Sequence, residues 1–249
     1  MSAGGGAVIR TIVRRELAAY FESPVAYVFL VIFLLLAGFF TFGFGGFFER
    51  GEASLGAFFG WMPWLFLFLV PAVGMRLWSD ERRLGTIELL LTLPVTSRQA
   101  ILGKFFASWL FLAIALALTF PVVITVNVLG DPDNGVIACG YVGSLLLAGA
   151  YLALSCMTSA LARSQVVSFI IAVMLCLILI LAGFNPVTDL VARWATPSVV
   201  ESIAGFSVLT HFDGLQKGVI DSRDVLYFLS VMAFALFATD VIIRSHRAG

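Results

Sequence analysis

Five stretches of this chain run for more than twenty residues without one Asp, Glu, Lys or Arg: 23–48, 53–75, 105–130, 134–162 and 164–188. A sixth, 225–243, holds a single acid, Asp240. Hydrocarbon about 30 Å thick is crossed by a helix of roughly 20 mostly apolar residues, so each run is long enough for one pass. A backbone in lipid must satisfy its own hydrogen bonds, which leaves helices and closed barrels, and none of these runs alternates with the period of two that a barrel needs. The sequence therefore predicts an all-α polytopic membrane protein with six transmembrane helices. No internal repeat or Ser/Gly linker divides it, so residues 1–249 read as a single membrane domain. The first run lacks a small-residue cleavage site and reads as a retained span.

Composition closes off the alternatives. Hydrophobic residues make up 61 % and charged residues 12 %, with a mean hydropathy of +1.04. A soluble domain is roughly 45–50 % apolar and about 25 % charged, and a water-soluble fold of this size could not bury the excess. No basic patch interleaved with aromatics points to nucleic acid. No GxxxxGK[ST] loop occurs, so the chain has no ATPase site of its own; the Gly4–Gly6 run leads into no strand or Lys and reads as a flexible end. Cys139, Cys156 and Cys176 lie in apolar stretches at spacings that suit neither a disulfide framework nor a metal site. His211 and His246 both fall outside the runs, and no intramembrane acid pair or Gly-x-Ser-Gly is present. An intramembrane enzyme is disfavoured on those grounds, and so is a secondary transporter.

Orientation follows from the basic residues. With the N-terminus inside, six spans leave both ends in the cytoplasm. Arg10, Arg14, Arg15, Arg76, Arg82, Arg83, Arg98, Lys104, Arg163, Arg244 and Arg247 are then inside, against Arg50, Arg193, Lys217 and Arg223 outside. Eleven against four satisfies the positive-inside rule. Pro63, Pro71, Pro121 and Pro186 sit within or at the ends of spans, where proline kinks a helix and neighbouring groups resatisfy the freed carbonyl.

Ahead of the first span, residues 7–22 place Ile9, Ile12, Val13, Leu17 and Tyr20 on one helical face, with Arg10, Arg14 and Arg15 elsewhere. This predicts an amphipathic interfacial helix on the inner surface, broken by Ser23-Pro24. Glu16 falls inside the apolar stripe. It either pairs with a nearby Arg or contacts a protein partner.

Residues 76–104 form the only inner loop of any length, and 79–104 read as two helical pieces. Asp80 and Glu81 suit the positive start of a short helix, and Leu84, Ile87 and Leu91 give it an apolar face up to Leu93-Pro94. Thr96 and Gln99 form a capping box that starts the next helix. The loop is either a solvated connector or a docking knob for a cytoplasmic partner.

ELAAYFESPVAYVF, DERRLGTIELLLTLPVTSRQAILGKF and, beyond the fifth span, FDGLQKGVIDSRDVLYFLS together resemble the permease subunit of an ABC-2 type transporter. The likeness is greatest to the gliding-motility and copper-enzyme maturation permeases, runs through nearly the whole chain, and is most specific in ERRLGTIELLLTLPVTSRQ. It implies that the inner loop carries a coupling helix docking in a groove of an ABC ATP-binding subunit, through Asp80, Glu81, Arg82, Arg83, Gly85, Thr86 and Glu88. It implies two permease copies, as a homo- or heterodimer, and two separate ATPase chains, which bind the ATP and magnesium; this chain needs no cofactor. It places the chain in the bacterial inner membrane and, for the gliding type, beside an auxiliary membrane protein with a large periplasmic domain. Transmission of an ATPase stroke to that partner, without solute transport, is the alternative to an export pathway.

The outer segment, 189–224, predicts a helix capped by Thr196 with Pro197 at its first position and an apolar stripe of Val199, Ile203 and Phe206. By the resemblance this region helps form an outer gate. His211, Phe212 and Asp213 follow it and read either as a polar interfacial turn or as gate or pH-sensing residues. Asp240, four residues before Arg244, reads either as an i, i+4 pair near the inner end or as a buried acid in a pathway. The phenylalanines at 39, 40, 42, 44, 47 and 48 cluster in the first span, and Gly56-Ala-Phe-Phe-Gly60 is a GxxxG that would allow close helix approach.

Overall fold

The computed structural model describes residues 3–47, 53–85 and 96–245, which are helical with no strand among them. Helix α1 (Ala3–Glu22) ends at Ser23, whose hydroxyl accepts the Val25 amide and caps α2 (Pro24–Phe39). A π-helical turn, Phe40–Phe44, continues α2. Then come α3 (Gly56–Gly74) and, after Met75, α4 (Arg76–Leu84). Helix α5 (Ser97–Ala117) opens on the complete Thr96/Gln99 capping box. It is followed by α6 (Phe120–Leu129) and α7 (Asn134–Leu161), the latter capped by Asp133 on the amides of Gly135 and Val136. Five helices complete the described residues: α8 (Gln165–Leu181), α9 (Asn185–Ala192), α10 (Pro197–Ala204), α11 (Val208–Gln216) and α12 (Ser222–Ser245).

Among the described residues five helical segments are long and apolar enough to cross a membrane: Pro24–Phe44, Gly56–Leu84, Ser97–Leu129, Asn134–Leu161 and Ser222–Ser245. The sixth is a bent pair, Gln165–Leu181 and Asn185–Ala192, meeting at 66°. The break falls at residues 182–184, just ahead of Pro186 in the first turn of α9, which has no amide to continue a helix. Pro121 likewise opens the third segment between α5 and α6, where the Thr119 hydroxyl donates to the Leu116 carbonyl at 2.6 Å. Pro63 and Pro71, by contrast, are carried within an unbroken α3.

Helix α7 is the mast of the bundle, with α3, α4, α5, α8, α11 and α12 all packed on it. Its surface is built from small residues, including Gly140, Gly143, Ala148, Gly149, Ala153 and Ser155. A methyl group on Gly140 would overlap the Phe59 ring, and one on Gly74 of α3 would overlap Ser155. In lipid no water is expelled when helices meet, so such close backbone approach is what holds them together.

Several local expectations are corrected. α1 begins at Ala3, so Gly4–Gly6 belong to the helix instead of a flexible end. Its apolar face packs along α5, where Ile12 closes over Gly103. Asp80 and Glu81 lie mid-helix, because α4 starts at Arg76 directly behind α3. α4 stops at Leu84, where Gly85 takes the left-handed conformation (φ +68°) that glycine adopts without strain. Ile87, Leu91, Leu93 and Pro94 lie outside the described residues. His211, Phe212 and Asp213 are not a turn; they sit within α11, capped by Ser207. Among the described residues no other helix closes on the Gly56/Gly60 pair: Gly60 is exposed, with nothing within 4 Å of where a Cβ would stand.

Candidate functional site

One cluster of polar side chains lies around α4, between α7, α8 and the start of α5. Trp78 of α4 is fully buried, and its indole N–H donates to Cys156 Sγ of α7 at 3.2 Å. Ser159, one turn further along α7, accepts the amides of Trp78 (2.9 Å) and Ser79 (3.0 Å) and donates to the Met75 carbonyl at 2.8 Å. A single hydroxyl thus satisfies the backbone groups freed at the α3–α4 junction. Arg82 donates to the carbonyls of Ala160 (2.5 Å) and Leu161 (2.6 Å), the last of α7, so a guanidinium sits on the negative end of that helix.

The opposite flank of α4 is tied to α5. Lys104 pairs with Glu81 at 2.8 Å, donates to the Leu77 carbonyl at 3.1 Å and lies 5.3 Å from the centre of the Trp78 ring. Asp80 accepts from Gln165 at the start of α8 and lies 3.7 Å from Arg83. Of the seven positions expected to dock an ATPase, Asp80, Glu81 and Arg82 therefore contact their own chain. Arg83 and Gly85 stand exposed at the tip of α4 beside an exposed Leu84, while Thr86 and Glu88 lie outside the described residues.

Two further contacts brace this end. Asp240, almost completely buried on α12, accepts from Arg244 at 2.9 Å, as the i, i+4 spacing predicts, and also from Arg98 of α5 at 3.1 Å. Tyr20 of α1 bonds Ser108 of α5 at 2.8 Å and stacks on Phe111. Burial pushes the Tyr20 phenol up to about 12, so it stays a neutral donor. Glu16 pairs with Arg15 at 2.8 Å, the first of its two sequence readings.

At the far end of the bundle, His211 joins α11 to α12. Its Nδ1 lies 2.7 Å from Asp224 Oδ1, its Nε2 lies 3.0 Å from the Gly205 carbonyl oxygen, and its ring stacks on Tyr227 with centroids 4.0 Å apart. The two ring nitrogens thus hold a carboxylate of α12 and a backbone carbonyl ahead of α11. Tyr227 donates to the Phe206 carbonyl at 2.6 Å. Phe212 is buried, and Asp213 pairs with Lys217 at 2.5 Å. Val199, Ile203 and Phe206 are exposed on and just beyond α10.

The sequence reading missed Lys104, Ser159, Gln165, Arg98 and Asp224 as partners. Lys104 carried a usable signal, as a lone cation against an apolar run with Trp78 and Glu81 upstream. Ser159 and Gln165 carried none. Among the described residues no group of His, Cys, Asp or Glu is arranged to hold a metal ion. The contacts tie α4 to α7, α8 and α5, three helices of the bundle.

Comparison with known proteins bears on that arrangement. Residues 10–213 match a family model described as ABC-2 family transporter protein. The chain is also similar to a Pseudomonas aeruginosa protein named "Probable ABC transporter permease protein NosY", 32 % identical over 161 residues. The match covers 62 % of this chain and 58 % of that relative, less than two thirds of its length.

Proposed function

The chain belongs to the ABC-2 family of transporter proteins, and from that premise we propose that it is the permease subunit of an ATP-driven exporter whose ATP-binding subunits are separate chains. Two permease copies form the pathway. ATP and magnesium bind in the partner subunits, and closure of the ATPase pair drives the permeases between two arrangements that bind those partners differently. The loop between α4 and α5 faces the cytoplasm, as do both termini, in a bacterial inner membrane; eleven of fifteen basic residues on that side support this orientation.

The observation that carries the reading is the division of labour along α4. Ser159, Arg82 and Lys104 fix its body to α7 and α5, while Arg83, Leu84 and Gly85 project from its end. Such an element transmits a push at its tip to two spans without absorbing it by local bending. Arg83, Gly85, Thr86 and Glu88 then meet the ATPase, and Asp80, Glu81 and Arg82 act through the stem. Co-purification from native membranes in mild detergent tests this. Wild type retains a chain with a phosphate loop and ABC signature, and Arg83→Glu with Leu84→Asp releases it. Equal retention by the variant would remove the docking assignment.

One observation favours the mechanical alternative. Trp194, between α9 and α10, is 90 % exposed and stands with Phe206, Val199 and Ile203 at the end opposite the loop. An auxiliary membrane protein with a periplasmic domain would find its contact there. ATPase activity unaffected by any solute but dependent on that partner would distinguish this role from export.

A further inference from the structure

A cavity of about 440 Å³ lies among α1, α2, α3, α4 and α5 at the end of the bundle that bears the α4–α5 loop. Its floor is apolar, with Phe29, Val73 and Phe111, where water would find few partners. Four charged side chains line it: Glu16, Arg76, Asp80 and Lys104. Lys104 is held by Glu81, Asp80 by Gln165 and Arg83, and Glu16 by the exposed Arg15. Arg76 makes no ion pair or side-chain hydrogen bond with any described residue, so the cavity offers one uncommitted guanidinium flanked by two carboxylates.

On α2 the cavity is lined by Val25, Ala26 and Phe29. Val25 lines it and is exposed; Val28, Ile32 and Leu35 follow on the same helical face, all exposed. From Val25 to Leu35 the helix rises about 15 Å, half of a hydrocarbon layer about 30 Å thick. One apolar track, one leaflet deep, therefore starts at a polar pocket holding both signs of charge.

We propose that this cavity binds a single phospholipid with a zwitterionic headgroup, its phosphate on Arg76, its ammonium toward Glu16 and Asp80, and one acyl chain along Val25, Val28, Ile32 and Leu35. A net-anionic headgroup brings a phosphate to Arg76 but no ammonium to Glu16 Oε2 and Asp80 Oδ2, the carboxylate oxygens that Arg15, Arg83 and Gln165 leave open among the described residues. The bound lipid wedges α1 against α4 and so bears on the loop stem. The site needs only that this end of the bundle meets a membrane–water boundary, and it stands whether or not the chain is an exporter.

The test is native mass spectrometry of the delipidated full chain offered equal amounts of phosphatidylethanolamine and phosphatidylglycerol with identical acyl chains. One phosphatidylethanolamine per chain is retained in preference to phosphatidylglycerol. Arg76→Gln weakens that retention about tenfold, the loss of one charge-assisted hydrogen bond. Ala19→Trp, which fills the cavity from an exposed position on α1, removes it, and Arg10→Gln on the same helix leaves it intact. Phosphatidylglycerol held equally well or better would overturn the proposal. So would wild-type retention in both Arg76→Gln and Ala19→Trp, which marks the lipid as annular, or displacement by soluble phosphoethanolamine at matched concentration, which denies the acyl track a role.

Discussion

Lys104 and Glu81 stand 2.8 Å apart across the mouth of the α4–α5 loop, one on each of its arms, with 9 % and 23 % of their side chains exposed. An ion pair this sheltered is not valuable for net stability, because desolvation offsets much of its attraction. Its value is geometric, since it makes the entry and the exit of the loop move together.

The pair predicts a charge-swap result. Lys104→Met leaves Glu81 with a sheltered charge and destabilises the protein by about 2 kcal/mol, less than a fully buried pair would lose because Glu81 keeps some access to water. Lys104→Glu is worse, with two carboxylates in one place. Lys104→Glu combined with Glu81→Lys recovers most of the loss, read as the thermal unfolding midpoint in detergent. A double variant no more stable than Lys104→Glu would show that the lysine acts through Leu77 and Trp78 instead.

Asp240 predicts a non-additive pattern. It receives both Arg98 and Arg244, whose own side chains are 66 % and 51 % exposed and can return to solvent when released. Asp240→Leu should therefore cost only about 1 kcal/mol, yet free the start of α5 from α12. Hydrogen exchange over residues 97–101 then quickens. Adding Arg98→Gln to Asp240→Leu changes it little further, because the two substitutions remove the same contact. Additive effects would mean that Arg98 holds α5 by another route.

What the sequence disclosed and what it withheld divide along a physical line. The spans, the Thr96/Gln99 box, the Thr196–Pro197 helix start and the Asp240–Arg244 pair were legible because each depends on residues within a few positions of one another. The bend ahead of Pro186 could be placed but not measured. The clamp around α4 was hidden because it depends on which helices are neighbours: Trp78 meets Ser159 81 positions away, and Arg98 meets Asp240 142 positions away. Glu81 and Arg82 adjoin in sequence, yet one turns to α5 and the other to the end of α7. The charge run at 80–83 resembled a solvated, partner-facing surface for the same reason. Nothing local shows that three of its four side chains, Asp80, Glu81 and Arg82, are tied to other helices of the same chain.

His211 gives a prediction at the other end. His211→Phe keeps the stack on Tyr227 but removes both polar contacts and leaves Asp224 without its partner on α11. The loss is about 1–2 kcal/mol, confined to this end. Exchange should rise across residues 205–216 and stay unchanged at residues 147–156 of α7. A rise that spread into α7 would show that α11 is part of the main packing unit instead of a separable cap on it.

The last prediction concerns orientation, which underlies the docking proposal. Leu84 is 67 % exposed at the tip of α4, and the Lys217 side chain is 67 % exposed just past α11, so a thiol at either place can react with a water-soluble reagent. The native thiols make a poor background: Cys156 and Cys176 are buried and Cys139 is partly so. If the α4–α5 loop is cytoplasmic, an impermeant maleimide labels Lys217→Cys in intact spheroplasts and reaches Leu84→Cys after the membrane is opened. The positive-inside count favours this result. Arg98, Lys104 and Arg244 also engage residues at the loop end, so the charge that orients the chain and the charge that braces the loop are the same. The reverse labelling pattern would place the α4 tip outside, beyond the reach of any cytoplasmic ATPase, and would dispose of the coupling role while leaving the clamp itself untouched.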